Sequence, residues 1–417
     1  MNTFLARIGP GILLGLVAWP VLAGDHSYTY YDIGVFGCLE DPFTVATDLT
    51  DTGVVTGYSS TPDCTTGHAF TWANGLMTDL DEYYEEGIFF GVQAISQTRV
   101  ILGAGDPDKV LVRIGDGMVF PLPVPRECEM QSNSRGINDT GTMAVGQCDT
   151  NGSGVFAPAL YLIDEGMSLA LEMLPGLPDD ADAEATGVND DGVVVGKVLS
   201  GEQRSFYWID GELTEIPNLL GGEGVIANAI NNHGLIVGLA GTADDFPAMS
   251  YDLNTEKMTV LGPGSPEDVN DRAMAVGRDI IDFIAVHAIL YEDGEAIDLS
   301  AFFPPPLADD SRPNAINNYG WIVGSAEEWG NGPLHGWLLV PEYAKGDYDG
   351  DTDVDYQDFQ HFQRCFAAEP YIDGTLHVGC SVFDFDDDVD LDLDDYAAFQ
   401  SAFTGPTAPN TNPNGPG

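Results

Sequence analysis

Basic residues are scarce in this chain: 14 Lys and Arg stand against 67 Asp and Glu, a formal net charge of −53 over 417 residues. Such a charge repels nucleic acid and anionic membrane surfaces, so neither is an expected partner, and cations become the natural counterpart. Long apolar runs are missing after the first residues. Residues 1–23 carry one positive charge at Arg7, an apolar stretch from about Ile12 to Val21 and small residues before a cut after Ala23, which is the pattern of a secretory signal peptide. The stretch is short for a bilayer span of about 20 residues. The mature chain is therefore expected to have no membrane span and to be secreted, either extracellular or attached at the cell surface. No Gly-x-Ser-x-Gly elbow, phosphate-binding Gly loop or His-Glu-x-x-His phrase occurs, so nucleophilic, nucleotide and zinc chemistry lack their usual carriers. Cysteine is sparse too. In an exported chain the six cysteines read as disulfides, and none sits beside a recurring His or basic residue that would make it a reactive thiol. Their positions suggest Cys38 with Cys64 and Cys128 with Cys148, each pair flanking a hairpin, and Cys365 with Cys380, although six cysteines permit 15 connectivities.

What the sequence does hold is a repeat. One phrase returns at a spacing of roughly 40 to 50 residues, a period that signals a propeller or a solenoid. Its clearest copies are Ala229-Ile230-Asn231-Asn232-His233-Gly234-Leu235-Ile236-Val237-Gly238 and Ala315-Ile316-Asn317-Asn318-Tyr319-Gly320-Trp321-Ile322-Val323-Gly324. Degenerate copies close on Gly57, Gly103, Gly146, Gly196 and Gly277. Between copies lie an aromatic run such as His68-Ala69-Phe70-Thr71-Trp72 and an acidic-aliphatic run such as Met77-Thr78-Asp79-Leu80. Each phrase is short, rich in β-branched and aromatic residues and bounded by Gly, Asn and Asp, as strands and tight turns are. Asn-Asn-x-Gly fits a hairpin loop, because Asn and Gly tolerate positive φ. One repeat then gives four strands, Ala-x-Ala-Ile-Asn, Leu-Ile-Val-Gly, the aromatic run and the Asp-Leu run, which make a propeller blade.

The seventh repeat ends after His335-Gly336-Trp337-Leu338-Leu339-Val340 without its Asp-Leu strand, and Tyr30-Tyr31-Asp32-Ile33-Gly34 has the missing pattern. The expectation is an all-β, seven-bladed β-propeller of four-stranded blades over residues 24–341, closed by that N-terminal strand. It requires counting the poorly matched repeat from Ala94-Ile95-Ser96-Gln97 to Leu102-Gly103. An open solenoid is the competing architecture. The recurring His68, His287 and His335 and the recurring Asp79 and Asp298 read as structural. Trp72, Trp208, Trp321 and Trp337 occupy core strand positions, with sugar platforms as the alternative. No residue unique to the channel stands out.

The phrase Ile-Asn-x-x-Gly-x-Ile-Val-Gly with His-Ala-Phe-x-Trp and Met-Thr-Asp-Leu resembles the HAF extracellular repeat family of bacteria, over about residues 28–341. The resemblance implies a secreted repeat protein and no particular activity. Only His68-Ala69-Phe70 reproduces the naming tripeptide in full.

After a short linker at 342–345 the aspartates take over. Asp347, Asp349, Asp351, Asp353, Asp355 and Asp358 stand at positions 1, 3, 5, 7, 9 and 12 of a loop, and Asp384, Asp386, Asp388, Asp390, Asp392 and Asp395 repeat the frame. These are the oxygen-ligand positions of a Ca²⁺ loop, with position 7 offering its backbone carbonyl and position 9 acting through water. An apolar stripe at helical spacing follows each loop: Phe359, Phe362 and Phe366, then Tyr396, Phe399 and Phe403. The stripes are expected to pack two helices on each other. Paired loop–helix units of this kind resemble the type I dockerin module, over about residues 346–405. That resemblance implies two Ca²⁺ ions as cofactors and a cohesin-like partner. Position 6, usually Gly, is Thr352 in one loop and Val389 in the other, and the strain of Val at a left-handed position makes the second site the weaker. Residues 406–417, rich in Pro, Asn and Gly, are expected to be disordered.

Two functions follow. The favoured one is a non-catalytic binding or scaffold propeller, engaging an extracellular glycan or protein and attached through the calcium module. The alternative is a polysaccharide-acting enzyme with its site at the propeller channel.

Overall fold

The repeat phrases become strands in the order in which they occur. In a computed structural model, residues 26–38, 42–62, 64, 67–80, 89–105, 109–114, 119–122, 130–149, 155–163, 167–170, 182–199, 201, 203–281, 285–328, 332–367 and 376–405 are described. They form seven four-stranded antiparallel sheets, each built from consecutive strands except the last. The fifth blade is typical, with strands Val225–Ile230, Leu235–Ala240, Ala248–Asp252 and Lys257–Gly262. The poorly matched second repeat is a full blade beginning with Phe89–Ile95. Residues 1–23, read above as a signal peptide, and residues 406–417 lie outside the described residues.

Closure takes the expected form. Tyr28–Asp32 pairs antiparallel with Leu334–Pro341 of the seventh blade, Tyr30 opposite Leu339, so the ring has no open edge where first and last blades meet. Two short 3₁₀ turns between blades six and seven bring Phe302 and Phe303 under this strand. Phe302 meets Tyr28 edge-on at 5.2 Å, and Phe303 meets Tyr30 and Trp337 at 5.8 and 4.9 Å.

The Gly that ends each repeat phrase has a steric cause. In every blade the phrase-ending Gly pairs with the first-strand residue just before a bulge, as Gly238 does with Ala227 and Gly57 with Ala46. The bulge tilts a carbonyl toward the glycine. A Cβ on Gly57 or Gly238 would lie 1.9 Å from the carbonyl oxygen of Val45 or Ile226, so no side chain fits.

The Asn of the phrase has two tasks. Asn317 is buried; its Oδ1 accepts the N–H groups of Tyr319 and Trp321 at 3.0 and 2.9 Å, closing its own hairpin. Its Nδ2 donates to the carbonyl of Thr50 in the first blade at 3.1 Å. Asn189, Asn231 and Asn270 likewise donate to the next blade, reaching the carbonyls of Asn231, Asn270 and Asn317. Thr50 and Ser96 take this place in the first two blades, and their hydroxyls keep the hairpin bond to Val54 and Val100.

The recurring His and Asp form a clamp between the outer two strands. His68 Nδ1 meets Asp79 Oδ2 at 2.8 Å and His287 meets Asp298 at 2.7 Å; His335 makes the same contact with Asp32 at 3.0 Å, across the ring closure. Blade four uses Arg204 and Glu215 instead. The bond to Asp32, opposed by burial, raises the His335 pKa above its usual value. A raised histidine pKa gives stability that is complete below the unfolded value of about 6.5 and is lost as pH rises through the folded value. His335→Gln is therefore expected to lower the thermal midpoint at pH about 5.5 and to have little effect at pH about 8.5. The difference should correspond to about 0.5 kcal/mol, since the pair is part-exposed; equal losses at both pH values would refute the clamp.

Of the four tryptophans weighed as sugar platforms, Trp72, Trp321 and Trp337 are buried, which excludes them as surface platforms, while Trp208 is half-buried. Disulfides join Cys38 to Cys64 and Cys365 to Cys380 as expected. Cys148 is disulfide-bonded; its expected partner Cys128 lies outside the described residues. Two disulfides fit an oxidising compartment outside the cytoplasm. Among the described residues no helix is long and apolar enough to cross a membrane.

Beyond the ring, α1 (Tyr356–Ala367) and α2 (Leu393–Ala402) each follow an acidic loop. Their stripes meet as the spacing implies: Phe362 lies 5.1 Å from Phe399 and 5.8 Å from Tyr396. Phe366 and Phe403 sit at the margin, 42% and 47% exposed. Tyr348, Phe362, Phe383 and Phe399 share one continuous core with Trp321 and Leu338 of the seventh blade, so the two-helix unit is packed on the ring.

Candidate functional site: the channel chamber and the twin acidic loops

The bulge that forces glycine into the second strand turns one residue of the first strand toward the ring axis. The bulged residues are Thr47, Gln93, Arg135, Thr186, Asn228, Glu267 and Asn314, one from each blade. All of them line one chamber of about 400 Å³. Glu184 and Lys197 of blade four and Val45 and Tyr58 of blade one complete its wall.

These residues stand at the x of Ala-x-Ala-Ile-Asn and are polar in every blade. Two positions later, Leu49, Ile95, Ile137, Val188, Ile230, Val269 and Ile316 are branched aliphatics in every blade. A position that packs the ring is held constant, whereas one that faces the channel is free to serve a ligand. The sequence reading assigned x no role.

The chamber is polar and its charges are arranged in pairs. Glu184 is buried and accepts from Arg135 Nε at 2.8 Å, with Lys197 Nζ 3.7 Å from its other oxygen. Lys197 also donates to Asn228 Oδ1 at 3.0 Å. Burial raises the pKa of Glu267, against the opposing pull of Arg278 and Lys197. Asn228 and Asn314 give their Nδ2 groups to carbonyls of the next blade, so they fasten the wall.

Toward the hairpin end the channel narrows and turns acidic. Asp48 and Asp268 follow the bulge in blades one and six, and each accepts the N–H of a neighbouring blade, Ile95 and Ile316. Burial raises both pKa values, and Asp268 adds to the shift of Asp48. At the mouth, Asp139 and Asp271 line a cavity of about 120 Å³ with Asn232, Asn189 and Asn317, while Asp51 and Asp190 accept hydrogen bonds from its lining residues Asn318 and Asn138. Burial, then the Asp271 carboxylate, pushes Asp139 up to about 6. Asn232 Nδ2 bridges it at 2.8 Å.

The second candidate site is the pair of acidic loops. Among the described residues, carboxylates of Asp347, Asp349 and Asp351 converge within 4.8 Å, as do those of Asp353, Asp355 and Asp358. In the second loop Asp384, Asp386 and Asp395 converge, and so do Asp390, Asp392 and Asp395. Asp388 joins neither group; it accepts the Asp390 N–H, as Asp351 accepts that of Asp353. The two loops share a backbone design. Asp358 accepts the N–H groups of Tyr348 and Asp355, and Asp395 those of Phe385 and Asp392. Thr352 and Val389, at position 6, have φ of 76° and 69°, the left-handed turn that normally calls for glycine. An all-oxygen donor set of this spacing fits a hard cation such as Ca²⁺. Burial first, then neighbouring carboxylates, pushes Asp347 up to about 6 and Asp349 up to about 7, a cost that a bound cation would relieve. The second loop is more open, with Asp386 and Asp390 exposed.

No protein-family model matches the chain, and no curated protein does. Solved structures show the ring. The oligogalacturonate lyase of Vibrio parahaemolyticus is similar with a TM-score of 0.58 at 11% identity, covering 78% of this chain and 97% of its own. TolB of Acinetobacter baumannii has a TM-score of 0.37 at 11% identity, over 73% of this chain and 65% of its own. Prolyl oligopeptidase B of Galerina marginata has 0.49 at 10% identity, over 70% and 47%. At such identities the likeness to the lyase is one of fold alone, and propellers serve binding proteins and enzymes alike.

Proposed function

We propose that this chain is a secreted binding propeller of the HAF-repeat type that takes a sugar-sized polar group of an extracellular glycan in the bulge-lined chamber. Its C-terminal unit is a dockerin-like module that binds two Ca²⁺ ions and attaches the ring to a cohesin-like partner. The observation that carries this reading is the convergence of seven polar side chains, the bulged residue of each blade, around a single chamber. Charge-paired cations and side-chain amides are suited to hydroxyl and carboxylate groups, and the volume falls within the range of small-molecule sites, about 300–1,000 Å³. In the module, Asp347, Asp349, Asp351, Asp353, Asp355 and Asp358 would hold one ion and the matching aspartates of the second loop the other. The ion supplies charge neutralisation and a fixed loop shape.

The test is binding to a glycan panel, followed by calorimetry on any glycan retained. Arg135→Ala, at a part-exposed side chain, is expected to weaken binding at least about tenfold through loss of a charge-assisted contact, beyond the stability lost by leaving the buried Glu184 with Lys197 alone. An unaltered affinity would sink the chamber reading. Release of shortened product would favour the enzyme, for which Glu184 and Glu267, on separate blades of the same chamber, would be the first residues to replace.

A further inference from the structure

The two acidic loops are held by different parts of the protein. Arg272, at the hairpin turn of the sixth blade, donates from Nη1 to the carbonyl oxygen of Asp349 and from Nη2 to that of Gly350, the latter at 2.9 Å. These are positions 3 and 4 of the first loop. Around this contact the ring and the module interlock. Tyr348, at position 2, stacks on His361 at 4.0 Å and meets Tyr319 and Trp321 of the seventh blade at 5.3 and 6.3 Å. Tyr319 Oη lies 3.0 Å from His361 Nε2. A Cβ on Gly379 would lie 2.4 Å from the Trp321 ring, so the chain passes there only as glycine. Lys345, in the linker, does for the second loop what Arg272 does for the first: it donates to the carbonyls of Ser381 and Asp384 and meets Asp387 Oδ1 at 2.8 Å.

A chain with 14 basic residues among 417 thus sets one against each acidic loop. Both contact backbone carbonyls rather than the convergent carboxylates, Lys345 meeting besides them only Asp387, a residue outside the ligand frame. The carboxylates are left for a cation, while the loop backbone is fixed in advance. Preorganisation of this kind raises affinity by removing ordering cost from the binding step.

We propose that Arg272 is a positioning residue for the first cation and that the ring is the built-in partner of the first loop. Ring docking and ion binding at that loop are linked, so each strengthens the other. The second site answers to Lys345 and not to the ring. This inference rests on the calcium reading of the module.

The experiment is Ca²⁺ calorimetry on the decalcified full-length protein, with Arg272→Gln, Arg272→Lys and Lys345→Met beside the parent. Asp347→Ala and Asp384→Ala each delete one loop and assign the two sites. Loss of two hydrogen bonds from a charged donor predicts that Arg272→Gln weakens the first site roughly tenfold or more. The second site should move less than about twofold. Arg272→Lys should restore part of the loss, and Lys345→Met should weaken the second site alone. Hydrogen exchange of the first loop in chelator should also quicken in Arg272→Gln. No calcium heat in the parent would remove the calcium reading and this inference with it. Two bound ions with an Arg272→Gln titration equal to the parent, or both sites weakened alike, would overturn the inference and leave the calcium reading standing.

Discussion

Gly238→Ala is expected to destabilise the ring by about 4 kcal/mol or more, an effect reached only by severe steric or polar insults. The added methyl would sit 1.9 Å from the Ile226 carbonyl and 3.1 Å from Ala227 Cα. Both obstacles are backbone, so no rotamer change relieves the clash. The strand must shift, and with it the bulge that presents Asn228 to the chamber. Gly294→Ala is the informative control. Gly294 has a φ of 82° with nothing within 4 Å of the new carbon, so its cost is the left-handed conformation alone, about 1–2 kcal/mol. Denaturant midpoints of the two variants separate a packing demand from a torsional one. Equal losses would mean that the bulge geometry does not govern the repeat glycine.

The same bulge shows how far the sequence could be read. Period, strand patterning and the unpaired Tyr30-Tyr31-Asp32 segment were sufficient for blade number and ring closure, because strands and turns are local and the missing fourth strand had one candidate. The phrase itself was legible as a hairpin, but not as a fastening between blades. Nothing local in Asn231 tells that its Nδ2 reaches the Asn270 carbonyl at 2.9 Å. The chamber was hidden for a different reason. Bulges reverse the alternation of faces, so a strictly alternating strand assigns Arg135 or Glu267 to the wrong side. The signal available within this one chain was that x is polar in every copy, from Thr47 to Asn314. For the acidic loops the sequence supplied the ligand frame and the helix contacts, whereas Arg272, about 77 residues away from Asp349, had no sequence signal linking it to them.

Removing divalent ions should reverse the pH dependence of module stability. In the ion-free protein Asp347 is pushed up to about 6 and Asp349 up to about 7, by burial and then by the carboxylates of Asp358 and Asp351. Their unfolded values lie near 3.9. Between these limits the folded state binds more protons than the unfolded one, so stability falls as pH rises from about 4 to about 7. Bound calcium would invert the sign, because ligand carboxylates must lose their protons to bind it and affinity rises with pH. Each ion at a concentration 100-fold above its dissociation constant adds about 2.7 kcal/mol, more than the exposed pairs elsewhere in the chain provide. Helical circular dichroism of the full-length protein, followed through thermal melts at pH about 5 and about 7, reads this directly, since α1 and α2 are the only α-helices among the described residues. In chelator the helical transition should come earlier at the higher pH; in calcium it should come later. A transition that moves in the same direction in both would mean that the convergent aspartates are a solvated acidic surface with no ion to hold them. The sign, more than the size, decides the matter, because burial and repulsion act on the same carboxylates that a cation would neutralise.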